Sequence, residues 1–92
     1  MVFSHANAED IGQAYTFCQQ FKKKLNMYIL LVEYRGYGIY EGSASQDSIF
    51  EDTQHIWNFL ILMMKFKSNN IFIMGRSIGS GPACYTRPLI YF

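Results

Sequence analysis

The sequence predicts an α/β fold in which a three-stranded parallel sheet is flanked by helices. Continuous apolar runs at residues 27–32 and 71–74 are typical of strands in a parallel sheet, where both faces are buried, and a short apolar stretch at residues 1–4 is interpreted as the end of a first strand. Segments with apolar residues at helical spacing follow each of these runs. Strands that alternate with helices in this way form parallel sheets with right-handed crossovers.

The first helix is predicted to begin near Asn7 and Asp10, which are helix-start residues, and to continue to about Lys24. Asn26 is expected to end it. The run at residues 22–24 is the only basic cluster, and cations suit the C-terminal end of a helix dipole. The apolar positions recur at helical spacing at Ile11, Ala14, Tyr15, Cys18 and Phe21.

The second helix is predicted to begin at Ser48, because Ser48 followed by Glu51 matches a capping box. Apolar residues continue from Ile49 to Met64 and become dense in the second half of the segment. That half is therefore expected to be well covered. Residues 67–70 are predicted to form the turn into the third strand.

The third helix is predicted to begin near Ile78, directly after the third strand. Pro82 can be accommodated in the first turn of a helix, where its missing N–H has no partner to lose. Arg87 followed by Pro88 is expected to end this helix, since the residue before a proline disfavours helical geometry.

Length and composition fit one domain over residues 1–92. The net charge of +1 gives no reason to expect nucleic acid or an anionic membrane as a partner. Cys18 and Cys84 make no disulfide framework and fit a reducing, cytoplasmic compartment. No signal peptide is visible, and the apolar run at residues 56–64 is too short to span a bilayer, so no transmembrane segment is predicted.

Gly75, Ser77 and Gly79 form a G-x-S-x-G motif between a predicted strand and a predicted helix. This arrangement is typical of a nucleophile elbow, in which a tight turn lifts a serine hydroxyl above the sheet. The backbone N–H of Ile78 would then face a developing oxyanion. The motif alone is a weak signal, since a glycine-rich turn with a passive serine also contains it.

Two further segments follow the other strands. Residues 4–10 come after the first strand and include His5 and Asn7, and residues 33–38 come after the second strand. Together with the elbow, which extends through Ser80, Gly81 and Pro82, these segments resemble the alpha/beta-hydrolase superfamily. The match is to the alpha/beta-hydrolase domain-containing protein 17 group of depalmitoylase-like serine hydrolases, over nearly the whole chain.

The resemblance implies that the first strand lies between the other two, giving the strand order 2-1-3. It also implies a serine hydrolase that cleaves an ester or thioester, palmitoyl-protein thioesters included, through an acyl-Ser77 intermediate. Ile78 and Asn7 would supply the backbone N–H groups of the oxyanion hole. No cofactor and no metal ion are expected, and the partner is an acyl ester or acylated-protein substrate.

The chain departs from the family pattern in several places. Ala6 replaces a usual glycine, which would strain the loop if that position requires a positive φ, and Tyr40 replaces a common serine. The family's acid and base follow the elbow, whereas this sequence stops at Phe92. The resemblance thus predicts a central part of the domain, without the first strands and without the C-terminal Asp and His needed for activity. An inactive fragment or pseudoenzyme is the alternative.

The remaining ionisable residues are expected to be structural. His5 belongs to the oxyanion loop, and His55 lies within the second helix, so neither is predicted to act as a base. Glu33 and Arg35 are predicted to pair with each other. The carboxylates at 47, 51 and 52 are interpreted as helix N-terminal charges. The family's membrane anchor, known from full-length relatives, is not recognisable here, so membrane attachment is not predicted.

A nucleotide-binding parallel sheet is a third interpretation of the same pattern. It requires a G-x-G-x-x-G turn or a phosphate-binding loop. Gly36 and Gly38 are followed by Gly42, which is one residue too far, and no glycine-lysine-serine or glycine-lysine-threonine occurs. The sequence therefore disfavours this function.

Overall fold

The structure is a computed structural model that describes residues 1–86. Within that range the predicted alternation of strands and helices is confirmed. The elements are β1 (Val2–Ser4), α1 (Ile11–Leu25), β2 (Leu30–Val32), α2 (Gln46–Asn58), β3 (Ile73–Gly75) and α3 (Ser80–Thr86). A π-helix (Phe59–Met63) continues α2, and 3₁₀ turns (Ser68–Asn70 and Ser77–Gly79) lie on either side of β3. The predicted helix end at Arg87 and Pro88 lies outside the described residues.

The sheet is parallel and has the strand order β2-β1-β3, as predicted. Ser4 at the end of β1 is in register with Val32 on one side and with Gly75 on the other. The three strands therefore end at the same level. This shared end is where loops from neighbouring strands meet, which is the usual position of a ligand site in an open parallel sheet.

The outer strands are shorter than the apolar runs that predict them. Residues 27–29 and 71–72 lie outside β2 and β3, and Gly75 is added to β3. The predicted starts of these two strands were wrong because β1 offers only three residues to pair with. The expected burial of the second and third strands was wrong in part, because Leu30 in β2 is exposed and the residues of β3 are only partly buried. All three residues of β1 are buried.

Two apolar clusters pack on opposite faces of the sheet, because successive side chains of a strand point to opposite sides. Phe3 faces α1 and packs with Ala14 and Cys18. The other face is larger and is covered by α2. Its buried members are Val2, Val32, Tyr34, Ile49, Trp57 and Ile71. β1 thus lies at the centre of the molecule, and its C-terminal end is fixed from both sides.

Helix α1 begins and ends at polar residues that the sequence singles out. The Asp10 side chain accepts a hydrogen bond from the backbone N–H of Gln13, whose side chain accepts from the N–H of Asp10. Asn26 adopts the left-handed conformation at the C-terminal end, which asparagine tolerates better than most residues. The lysines at 22–24 occupy the last turn, as predicted.

Helix α2 begins earlier than predicted. Its cap is Ser45, whose hydroxyl oxygen accepts from the N–H of Ser48, and Ser48 accepts in return from the N–H of Ser45. The predicted capping box of Ser48 with Glu51 was therefore wrong by one turn. The error arose because both positions are serines and only tertiary packing shows which one precedes the first helical residue.

The C-terminal half of this helical segment is less covered than predicted. Phe59, Leu62, Met63 and Met64 are all at least half exposed, while Leu60 and Ile61 pack against the core. The segment is apolar on most sides, whereas the sheet covers only one of them. The π-helix also places one extra residue in the turn, as shown by the bond from the N–H of Met64 to the carbonyl of Phe59.

Arg35 pairs with α2 rather than with its neighbour Glu33. Its Nε lies 2.7 Å from Asp52 Oδ1, and its Nη2 lies 2.6 Å from Glu51 Oε2. Hydrogen bonding to the Arg35 guanidinium lowers the pKa of Glu51. The predicted Glu33–Arg35 pair was wrong, because Glu33 instead binds His5 while Arg35 binds the two carboxylates of α2. These contacts hold the β2 loop against α2.

Both cysteines are free thiols. Cys18 is buried, and this burial raises its pKa. Cys84 is exposed on α3. Across residues 1–86, none of the helices has the length and apolar character that a bilayer-spanning segment requires.

Ser45→Ala is expected to lower the free energy of unfolding by about 1 kcal/mol, because it removes a helix N-cap. Ser43→Ala is the matched control, since the Ser43 hydroxyl makes no hydrogen bond to the described residues, and its effect should stay within about 0.5 kcal/mol. Urea denaturation followed by circular dichroism measures both. Equal midpoints for the two variants would contradict the assignment of the cap.

Candidate active site

Ser77 occupies a strained turn between β3 and α3. Its φ is +55°, in the left-handed region that a residue with a Cβ seldom adopts. The 3₁₀ turn that it opens is closed by a 3.0 Å hydrogen bond from the N–H of Gly79 to the carbonyl of Arg76. Ser77 is exposed at the level where the strands end. This is the backbone geometry of a nucleophile elbow.

The two motif glycines are required by close contacts. A Cβ on Gly75 would overlap the carbonyl group of Gly79, so the strand and the turn could not approach each other. A Cβ on Gly79 would overlap the carbonyl oxygens of Ser4 and His5, at the end of β1. The glycines thus allow the turn to pack directly on β1.

The loop after β1 is a short turn at residues 6–9. The N–H of Ala6 donates to Glu9 Oε1 at 3.1 Å, and the N–H of Glu9 approaches the carbonyl of Ala6 at 3.4 Å. Ala6 does not have a positive φ. The replacement of the family's glycine by Ala6 therefore causes no left-handed strain, and the expected difficulty does not arise.

The structure brings this loop and the elbow together. The N–H of Arg76 donates to the carbonyl of Ser4 at 3.0 Å, and its guanidinium lies 3.6 Å from Glu9 Oε1. The two segments lie at the ends of paired strands, β1 and β3. The two loops therefore lie at the same end of the sheet, which a shared site requires.

The two backbone donors predicted for an oxyanion hole are unpaired. Neither the N–H of Ile78 nor the N–H of Asn7 has a hydrogen-bond partner among residues 1–86. Both residues are exposed, one on each of the two neighbouring segments. Their common role at one oxyanion stays a prediction.

His5 is buried, and both of its ring nitrogens are occupied. Nε2 lies 2.6 Å from Glu33 Oε1, and Nδ1 lies 2.8 Å from the carbonyl oxygen of Ala6. The ring also contacts Tyr34, whose hydroxyl donates to the His5 carbonyl at 2.9 Å. Burial raises the pKa of Tyr34, so this hydroxyl remains a donor. His5 therefore holds the loop in place, in agreement with its expected structural role.

The Ser77 hydroxyl forms no hydrogen bond with any of the described residues. His55 is exposed and lies within α2, as expected, and it makes no hydrogen bond to Ser77. Residues 1–86 also contain no group of three metal-ligating side chains. An apolar groove of about 490 Å³ lies at the opposite end of the sheet, where Val2, Leu30 and Phe72 line it, and so it is separate from Ser77.

Sequence reasoning missed Tyr37. Its hydroxyl donates to the side-chain oxygen of Asn7 at 2.6 Å, which joins the loop after β2 to the predicted oxyanion loop. Glu33 makes a second connection through His5 and a third through the N–H of Ile11, at 3.2 Å. Gly36 and Gly38 on either side of Tyr37 were a signal that this loop is sharply turned, but they do not show its partner.

The sequence of this chain is similar to those of several curated proteins, all of them alpha/beta hydrolase domain-containing proteins. Alpha/beta hydrolase domain-containing protein 17C of Xenopus laevis is 33% identical over 82 residues, which cover 89% of this chain and 26% of the relative. Human 17C is also 33% identical, with 89% and 25% covered. Human 17B is 31% identical over 83 residues, with 90% and 29% covered.

This chain is a homologue of the alpha/beta hydrolase domain-containing protein 17 group. The resemblance predicted from the elbow and its two neighbouring loops is thereby confirmed, and the three-stranded sheet is part of an alpha/beta-hydrolase fold. The chain spans about a quarter of the length of these curated relatives. No family model matches it, and no solved structure matches it significantly.

Gly79→Ala is expected to lower the free energy of unfolding by about 3 kcal/mol, since the new methyl group overlaps backbone carbonyls that cannot rotate away. Gly81→Ala, two residues further on, is the control. Its Cβ would lie 3.4 Å from the ring of Phe50, an ordinary contact, so stability should change by less than about 1 kcal/mol. Chemical denaturation distinguishes them. A tolerated Gly79→Ala would show that the turn does not pack on β1.

Ser77→Gly is expected to be more stable than Ser77→Ala by about 1 kcal/mol, because only glycine relieves the left-handed strain. Both substitutions remove the hydroxyl, so their difference reports the backbone alone. Thermal unfolding of the two variants is the measurement. If alanine were the more stable of the pair, Ser77 would have an ordinary helical or extended backbone.

Proposed function

We propose that this chain carries the nucleophile and the oxyanion hole of a serine hydrolase. The observation that supports this function best is the left-handed, exposed Ser77 held between Gly75 and Gly79 at the end of a central strand. Strained non-glycine residues cluster at active sites and ligand-binding segments. The homology to alpha/beta hydrolase domain-containing proteins supports the same reaction class.

In the proposed reaction, Ser77 Oγ attacks the carbonyl carbon of an ester or thioester. The carbonyl oxygen becomes an oxyanion, which the N–H groups of Ile78 and Asn7 stabilise. The C–O or C–S bond then breaks and leaves an acyl-Ser77 intermediate, which water hydrolyses. The alcohol or thiol takes up the proton that the serine lost.

A serine hydroxyl needs a base to remove that proton near neutral pH. Both ring nitrogens of His5 are hydrogen-bonded to Glu33 and Ala6, so His5 does not serve as this base. None of the other basic side chains among residues 1–86 forms a hydrogen bond with the Ser77 hydroxyl. We place the base and its acid partner in a further part of the domain, in the order serine, aspartate, histidine of this fold. The relatives are more than three times as long as this chain, which leaves room for such a part.

The substrate class follows from the relatives rather than from a pocket. We propose an acyl ester or an acylated protein, with a palmitoyl-protein thioester as the specific candidate. No nucleic acid and no cofactor take part in this reaction. A cytoplasmic location agrees with the two free thiols.

A catalytically inactive chain is the second candidate. One observation favours it: the Ser77 hydroxyl has no hydrogen bond to a base within the described residues. In that case the elbow would be an inherited turn without chemistry.

A fluorophosphonate probe decides between the two. The full chain, meaning this sequence together with the part of the domain that carries the proposed base, is expected to be labelled. Labelling of Ser77→Ala in the same protein should fall at least about 100-fold because the nucleophile is removed. Ser43→Ala, an exposed serine in the loop before α2, is the control and should be labelled as well as the unmodified chain. Absence of labelling on the full chain would support the inactive candidate.

A further inference from the structure

We propose that Tyr37 is the positioning residue for the oxyanion loop, because its hydroxyl fixes the peptide that presents the Asn7 N–H. This inference rests on the proposed function, since it assigns a role at the same site. Tyr37 does not touch the reacting atoms in this proposal. It acts through Asn7.

The position of Asn7 depends on the Tyr37 hydrogen bond because few other contacts hold the turn at residues 6–9. Asn7 and Ala8 are exposed at the tip of the turn, and the two bonds that close the turn join Ala6 to Glu9 on either side of them, at 3.4 Å for the Glu9 N–H and 3.1 Å for the Ala6 N–H. Ala6 is tied to the Glu9 carboxylate, one residue before the predicted donor. The 2.6 Å bond from the Tyr37 hydroxyl to Asn7 Oδ1 joins the tip of the turn to a segment 30 residues away.

Tyr37 is rigid enough to serve as this support. Its backbone N–H donates to the carbonyl of Tyr34 and its carbonyl accepts from Tyr40, both at 3.0 Å. Its ring packs edge-on against Tyr34 at 5.4 Å and against His5 at 5.3 Å. The two rings it contacts are buried. The buried rings of Tyr34 and His5 therefore hold the Tyr37 ring in place, and its hydroxyl binds Asn7 at the exposed surface.

The side chain and the N–H of Asn7 share one Cα, so a restraint on Oδ1 also restrains the direction of the N–H. Oxyanion donors are effective only when they are already aimed at the developing charge. A misplacement of about 1 Å can cost about 100-fold in rate. Loss of the Tyr37 hydroxyl should therefore affect the reaction more than it affects folding.

The experiment is a double-mutant cycle on the full chain with Tyr37→Phe, Asn7→Ala and both together. Asn7→Ala keeps the backbone N–H but removes the acceptor of the Tyr37 hydroxyl. Each single variant should slow fluorophosphonate labelling of Ser77 about 10-fold, which corresponds to one lost hydrogen bond. The double variant should be no slower than either, because both substitutions remove the same contact.

The control is Tyr40→Phe, a half-exposed tyrosine in the same loop whose hydroxyl has no hydrogen bond among the described residues. It should label at the unmodified rate. The ³¹P chemical shift of the phosphonylated serine provides a readout that a purely structural role would not move. We expect that shift to change in Tyr37→Phe and in Asn7→Ala but not in Tyr40→Phe.

The outcomes distinguish the positioning role of Tyr37 from the proposed hydrolase function. A labelled chain in which Tyr37→Phe behaves like Tyr40→Phe, or in which the single effects multiply in the double variant, would overturn the role of Tyr37. An unlabelled unmodified chain would instead refute the proposed function. In that case, amide hydrogen exchange at Asn7 still tests whether Tyr37 positions the loop. Faster exchange in Tyr37→Phe but not in Tyr40→Phe would support this role. Exchange at the unmodified rate in both variants would overturn it.

Discussion

The contact of Gly79 with the carbonyl groups of Ser4 and His5 determines how the rest of the site is arranged. Because Gly79 has no side chain, the turn that contains Ser77 rests directly on the end of β1. The same end of β1 leads into the loop that contains Asn7. One close backbone approach thus sets the separation of two segments that are about seventy residues apart in the sequence.

The sequence predicts those features that depend on local residue types. Alternating apolar runs and helical periods predict the element order, and the glycines at 75 and 79 predict the strand-to-helix turn. The central position of β1 followed from the family resemblance. The cap of α2 was misassigned because Ser45 and Ser48 have the same chemistry, and only the packing of the loop selects between them.

Contacts between distant segments were not predictable from the pattern. Glu33 and Arg35 are two residues apart and opposite in charge, yet Glu33 binds His5 and Arg35 binds Asp52. The Tyr37 hydroxyl likewise reaches a partner 30 residues earlier in the chain. A sequence shows which groups need partners, whereas the choice of partner depends on how the strands are ordered and where their loops meet.

The left-handed backbone at Ser77 has a consequence for how such a chain would change over generations. In a chain that had lost its chemistry, replacement of this serine by glycine would remove strain and carry no penalty in function. Neutral drift would then favour glycine at this point. The presence of serine or of glycine at this position in related chains would therefore show whether the hydroxyl is used.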